Sequence, residues 1–167
     1  MSRTSRQPWP TNDGSTIYFA SDRFNATYEI WRVASNGTGL TRMTNFGQDA
    51  QHPVVSGDGS RFGTWLDGAL YTGTSAGIGT ETPLIVRDIP EQGYLDLSAN
   101  GQKVTFVSTI DPLGTNPDHA RQLFVSNTDG TGLRQLTFAG PGEFVVRPAI
   151  NGDGSRVYFE GPIDPWA

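Results

Sequence analysis

Gly73-Thr74-Ser75-Ala76-Gly77 matches G-x-S-x-G, the sharp turn that lifts a nucleophilic serine out of a strand in many hydrolases. That turn works only where a helix follows, and Ile78-Gly79-Thr80-Glu81-Thr82-Pro83 cannot start a good one. A triad also needs a base, and the sequence holds two histidines, His52 and His119. The segment therefore reads as a turn between strands. Asp111, Asn116 and Asp118 bunch oxygen donors in one loop. A calcium loop requires close D-x-[DN]-x-[DN]-G spacing and a closing acid. Here two prolines interrupt and no acid closes, so the loop reads as Asx turns, with His119 solvated. No glycine cluster opens a helix, which excludes a phosphate loop.

Composition narrows the remaining classes. The chain has 167 residues, which suits one domain spanning 1–167. Its net charge of −5 offers no basic face for nucleic acid. Mean hydropathy is −0.39, and no apolar run approaches the ~18 residues of a membrane span, so no membrane insertion is expected. Without cysteine there is no disulfide and no zinc–thiolate site. Met1–Arg6 is basic, yet no apolar stretch follows, so it does not read as a signal peptide as it stands. Asn25-Ala26-Thr27 and Asn36-Gly37-Thr38 fit glycosylation acceptors, a triplet that arises often by chance.

Four registered copies of one unit organise the chain. Their anchor glycines, Gly14, Gly59, Gly101 and Gly154, lie 45, 42 and 53 residues apart. One residue earlier stand Asp13, Asp58, Asn100 and Asp153, a hairpin signal because both partners of the pair tolerate positive φ. Six residues earlier stand Pro8, Pro53, Leu95 and Pro148. Three and five residues later stand Ile17/Phe19, Phe62/Thr64, Val104/Phe106 and Val157/Phe159, on one face of a strand. Tyr18 and Tyr158 make the opposite face large too, as a sheet packed between two others requires. A second element repeats at a constant offset of 93, Glu29–Thr44 against Gln122–Thr137, as strand, glycine turn and short strand. Each complete unit thus predicts four antiparallel strands, A to D. Unit two is eroded: Leu70-Tyr71 comes five residues early, which predicts a short B–C loop, and Thr64 predicts looser packing. Unit three carries an insertion, 110–119, in its B–C loop. Trp9, Trp31 and Trp65 read as packing between units, while Trp166 has no assigned partner. No window has helical periodicity free of glycine and proline.

These units resemble the TolB-like, or WD40-like (PD40), β-propeller repeat. The carriers are Pro53-Val54-Val55-Ser56-Gly57-Asp58-Gly59, Pro148-Ala149-Ile150-Asn151-Gly152-Asp153-Gly154, and the two stretches ending Leu40-Thr41-Arg42-Met43-Thr44 and Leu133-Arg134-Gln135-Leu136-Thr137. Gly57 and Gly152 depart from the family's usual proline. The resemblance implies an all-β propeller of about three and a half four-stranded blades, with units near 7–46, 52–86, 94–139 and an incomplete 147–167. Such a ring is part of a larger propeller or is completed by a partner copy, and its open edges invite self-association. In that architecture strand A lines a central channel. The residues seven before each anchor glycine, Gln7, His52, Tyr94 and Arg147, would then gather at its mouth and bind a peptide or ligand. The implied role is non-catalytic recognition of a protein partner in an extracytoplasmic, periplasmic setting, with no catalytic residue, cofactor or metal. Alternatives are an accessory propeller of a prolyl-oligopeptidase-type hydrolase and a propeller lyase or lactonase with a channel metal.

Overall fold

The computed structural model describes residues 4–24, 26–77, 84 and 94–161. The fourth strand of unit two, the segment after Gly77 and Trp166 fall outside the described residues. Among the described residues, all regular structure is strand. Sheet one is β1 (Ser5–Pro10), β2 (Thr16–Ser21), β3 (Glu29–Ala34) and β4 (Thr41–Arg42). Sheet two is β5 (Ala50–Val55), β6 (Arg61–Leu66) and β7 (Ala69–Thr74). Sheet three is β8 (Leu95–Leu97), β9 (Lys103–Ser108), β10 (Gln122–Asn127) and β11 (Arg134–Gln135). Sheet four begins with β12 (Val146–Ile150) and β13 (Val157–Glu160). Each is an antiparallel meander in chain order.

The A–B hairpins explain why the unit recurs. In every copy the anchor glycine N–H donates to the carbonyl three residues back: Gly14 to Thr11, Gly59 to Ser56, Gly101 to Ser98 and Gly154 to Asn151, at 2.9–3.0 Å. All four glycines have φ between 66° and 75°, a region costly for any side chain. The preceding Asp or Asn does not share it, which corrects the sequence expectation of a turn with two positive φ angles. These are type I turns followed by a left-handed glycine. The Asp or Asn side chain serves instead as an acceptor: Asp13 takes the Ser15 N–H at 3.0 Å, Asp58 the Ser60 N–H at 2.9 Å and Asp153 the Ser155 N–H at 2.9 Å. The two-residue hairpin with both φ positive occurs once among the described residues, at Asp67-Gly68, and it makes the short B–C loop predicted for unit two.

Successive sheets stack with fixed polarity. Tyr18, Ile30 and Met43 of sheet one pack on Val55, Phe62 and Leu66 of sheet two. Val54, Trp65 and Leu70 of sheet two pack on Val104 and Phe106 of sheet three. Val107 and Leu123 of sheet three pack on Val157 and Phe159 of sheet four. In sheets two, three and four the plus-three/plus-five face of the B strand thus lies on the preceding sheet. Thr64, expected to loosen the packing, is fully buried, and its hydroxyl donates 2.8 Å to the Gln51 carbonyl. The hairpins are also linked edge to edge. Asn12 N–H donates to Gly57 O, Asp58 N–H to Ala99 O and Asn100 N–H to Gly152 O, at 2.9–3.2 Å. The first strands of adjacent sheets lie side by side and form the inner wall.

Two aromatic expectations change. Trp31 and Trp65 are buried, but Trp9 is 39% exposed because it sits on the inner wall. Tyr158 is 59% exposed, since its face of sheet four has no neighbour among the described residues.

Candidate functional site: the inner wall of the first strands

Proline dictates the geometry here. It has no N–H to give a neighbouring strand, so it is tolerated at bulges. The A–B register slips between Arg6 and Trp9, between Gln51 and Val54, and between Val146 and Ala149, at the X-Pro step of units one, two and four. The residue before each of these prolines lies at the bulge in the left-handed region: Gln7 at 56°, His52 at 53° and Arg147 at 50°. In unit three Leu95 replaces proline and no register shift occurs between Leu95 and Leu97. The ladder continues there, with Val107 N–H donating 3.0 Å to Tyr94 O.

That difference separates the four residues expected at the channel mouth. Gln7 and His52 come together. Gln7 Oε1 accepts the His52 backbone N–H at 2.8 Å, and Gln7 Nε2 lies 3.0 Å from His52 Nε2. Arg147 instead holds Glu160 at 2.9 Å on an exposed surface. Tyr94 packs among Val107, Leu123 and Val145 between sheets three and four. Desolvation lowers the His52 pKa from its usual 6.5, and the nearby Arg6 charge lowers it further. The neutral ring can then accept from the Gln7 amide. Arg6 in turn lies 3.6 Å over the Tyr28 ring, and its buried Nε finds no partner.

Gln7, Pro8, Trp9, His52, Pro53 and Val54 enclose a recess of about 270 Å³. Its walls are apolar, with one amide and one imidazole at the rim. It can hold an apolar side chain and offer a few hydrogen bonds beside it.

The other sequence candidates are spent on structure. Asp111 Oδ1 accepts the Thr115 and Asn116 N–H groups at 2.7 and 2.8 Å. Asn116 is buried and donates to the carbonyls of Thr109, Ile110 and Ala120. His119 Nδ1 reaches the Thr109 carbonyl at 3.1 Å. Thr74–Gly77 is a closed turn, with Gly77 N–H on Thr74 O at 2.9 Å and Ser75 N–H on Ser60 O at 3.0 Å.

One pair escaped sequence reading. Glu29 and Gln122 occupy equivalent positions and are both buried. Glu29 accepts from the Thr44 hydroxyl and, at 2.9 Å, from Gly47 N–H. Gln122 accepts from Thr137 Oγ1 and Ala139 N–H, both at 2.9 Å, and donates to Ala139 O and Asn116 Oδ1. The constant offset of 93 and the matched Thr44 and Thr137 were the available signal.

Comparison with known proteins now places the architecture. No family model and no curated protein matches the sequence. Solved structures do. A chain of a nidogen–laminin complex superposes with a TM-score of 0.61 at 12% identity, covering 92% of this chain and 55% of that one. The tricorn protease gives 0.67 at 12%, covering 89% and 14%. TolB from Acinetobacter baumannii gives 0.52 at 18%, covering 95% and 43%. The fold is a β-propeller, represented here by an open arc. At these identities the likeness speaks for the fold alone, and the chain spans little more than half of the nidogen-complex chain and less of the others.

Proposed function

We propose that this propeller segment is a non-catalytic recognition scaffold whose inner-wall recess takes an apolar side chain of a protein or peptide partner. The observation that carries the reading is the exposed Trp9, set between Pro8 and Pro53 beside the Gln7–His52 bridge. A large aromatic held open to solvent between rigid prolines is a low-entropy anchor for an extended segment. Gln7 and His52 are engaged with one another, which suits orientation of a ligand better than proton transfer. TolB supports the same reading by resemblance, and with it an extracytoplasmic location. A second reading, an accessory propeller of a larger hydrolase, draws on the superposition with the tricorn protease.

Peptide-display selection on the immobilised chain tests the recognition role. Enriched peptides should share an apolar residue and lose at least about tenfold in affinity to Trp9→Ala and His52→Asn. Asn is chosen because it tolerates the left-handed backbone at position 52. Arg156→Ala, on a distant hairpin, should bind normally. Selection that enriches nothing, or binding indifferent to Trp9 and His52, would contradict the reading.

A further inference from the structure

We propose, on the basis of the recognition role above, that the rim of the inner-wall recess is a carboxylate site, and that its occupant is an extended acidic peptide with an aspartate or glutamate within two residues of its apolar anchor. The group that makes the site is Arg6. It stands on β1 directly before Gln7 and pairs with Ala20 of β2. Its guanidinium lies 3.6 Å over the ring of Tyr28. Tyr28 ends the B–C loop of sheet one and packs against the core shared by sheets one and two. At that distance the flat face of the guanidinium rests on the ring. The N–H groups lie in the plane of the group, so stacking fixes the cation and leaves its donors free.

Those donors have nothing to meet. Arg6 Nε is buried without an acceptor, and no carboxylate forms an ion pair with Arg6 among the described residues. The acids of the neighbouring segments are committed to backbone N–H groups. Asp22 Oδ1 takes Thr4 N–H at 2.6 Å, Asp49 Oδ1 takes Tyr28 N–H at 2.8 Å and Glu29 Oε1 takes Gly47 N–H at 2.9 Å. His52 adds a second donor. Desolvation first, and the Arg6 charge second, hold its pKa below 6.5, so the ring is neutral with one N–H and one bare nitrogen. Gln7 Nε2 lies 3.0 and 3.2 Å from the two ring nitrogens and can only donate, so it satisfies the bare one alone. The ring N–H is left without an acceptor among the described residues, beside a guanidinium in the same condition.

A guanidinium and an imidazole N–H side by side match a carboxylate, which accepts several N–H groups at once. The chain carries a net charge of −5, so a cation left unpaired at this rim does not reflect a shortage of acids. Gln7 and His52 also line the recess, together with Pro8, Trp9, Pro53 and Val54. One partner segment therefore reaches both features, its apolar side chain in the recess and its carboxylate on Arg6 and His52. Because His52 belongs to both, the acid falls within two residues of the anchor, about 7 Å along an extended chain.

Selection from a random-peptide display library on the immobilised chain, followed by a charge-exchange cycle, tests this. Enriched peptides are synthesised with each acid in turn replaced by its amide, and with the C-terminus amidated. The expected consensus pairs an apolar residue with Asp or Glu within two positions. Replacing that acid by its amide should weaken binding to the native chain by about tenfold or more. Arg6→Gln should bind the acidic and the amide peptide alike. Arg6→Lys keeps the charge but loses the planar fork, and should retain part of the preference. Near-ultraviolet circular dichroism reports whether each variant keeps its fold, and Arg6→Lys carries the test should Arg6→Gln not fold. Peptides that bind through Trp9 without an acid, or whose acid matters equally to the native chain and to Arg6→Gln, would overturn the carboxylate site and leave the recognition role standing. Dependence on a free C-terminal carboxylate in place of an internal acid would do the same. Selection that enriches nothing would overturn both.

Discussion

Single residues show how the repeat tolerates variation at fixed geometry. Glu29 and Gln122 fill the same buried slot, but their surroundings have been matched to their chemistry. Glu29 faces donors, whereas Gln122 also faces two acceptors. Exchanging them should therefore fail both ways. Glu29→Gln turns an amide toward a donor and should cost about 1–3 kcal/mol. Gln122→Glu buries a carboxylate against the Ala139 carbonyl and should cost about 3 kcal/mol or more. Urea unfolding of both variants checks this, and a neutral result for either would show that the slot is not closed. At His52 the pH dependence has a definite sign. The folded pKa lies below 6.5, so the unfolded chain takes up its proton first as pH falls. Stability should thus decline as pH drops from about 6.5 toward the folded value and level off beneath it. His52→Asn should remove that component of the decline between pH 7.5 and 5.5. The Asp58 carboxyl works in the same sense in a more acidic window: burial raises its pKa, but the hydrogen bonds it accepts from Ser56 and Ser60 together lower it further. Its contribution is present above its ordinary 3.8 and is lost in more acidic solution.

At the scale of elements, the hairpins and bulges explain which parts of the sequence were legible. The anchor glycines announced the turns because a left-handed corner excludes side chains, and that constraint is local. The bulge at the X-Pro step was not read from the sequence, although proline's missing N–H was the available signal. What a residue's face meets is not local. Trp9 and Tyr158 carry the same hydrophobic signal as Trp31 and Tyr18, yet they stand exposed: Trp9 lies on the inner wall, and the Tyr158 face has no neighbour among the described residues. Tyr94 left the expected channel set because Leu95, unlike proline, sustains the ladder. The departures from the family pattern at Gly57 and Gly152 also have different causes. A Cβ at Gly57 would fall 2.3 Å from Asn12 Nδ2 and 2.8 Å from Ala99 Cβ, whereas at Gly152 the nearest atom is Ala99 Cβ at 3.5 Å. Neither glycine has a left-handed φ. Gly57→Ala should therefore lower stability by about 1–3 kcal/mol, and Gly152→Ala should stay within about 0.5 kcal/mol. Thermal melts of the two variants separate close packing from simple turn preference.

On the scale of the whole molecule, one rule of assembly accounts for most of the buried surface. Sheets two, three and four each lay their plus-three/plus-five face on the predecessor, and each hairpin reaches its neighbour through a backbone hydrogen bond. The inner wall and the recess at Trp9 both follow from that rule. Nuclear Overhauser contacts across the hairpins test it most directly. Radial stacking predicts cross-peaks from Gly59 to Thr11, Gly101 to Arg61 and Gly154 to Lys103, one for each step around the arc. Finding these glycines next to unrelated segments, with the three steps inequivalent, would contradict it.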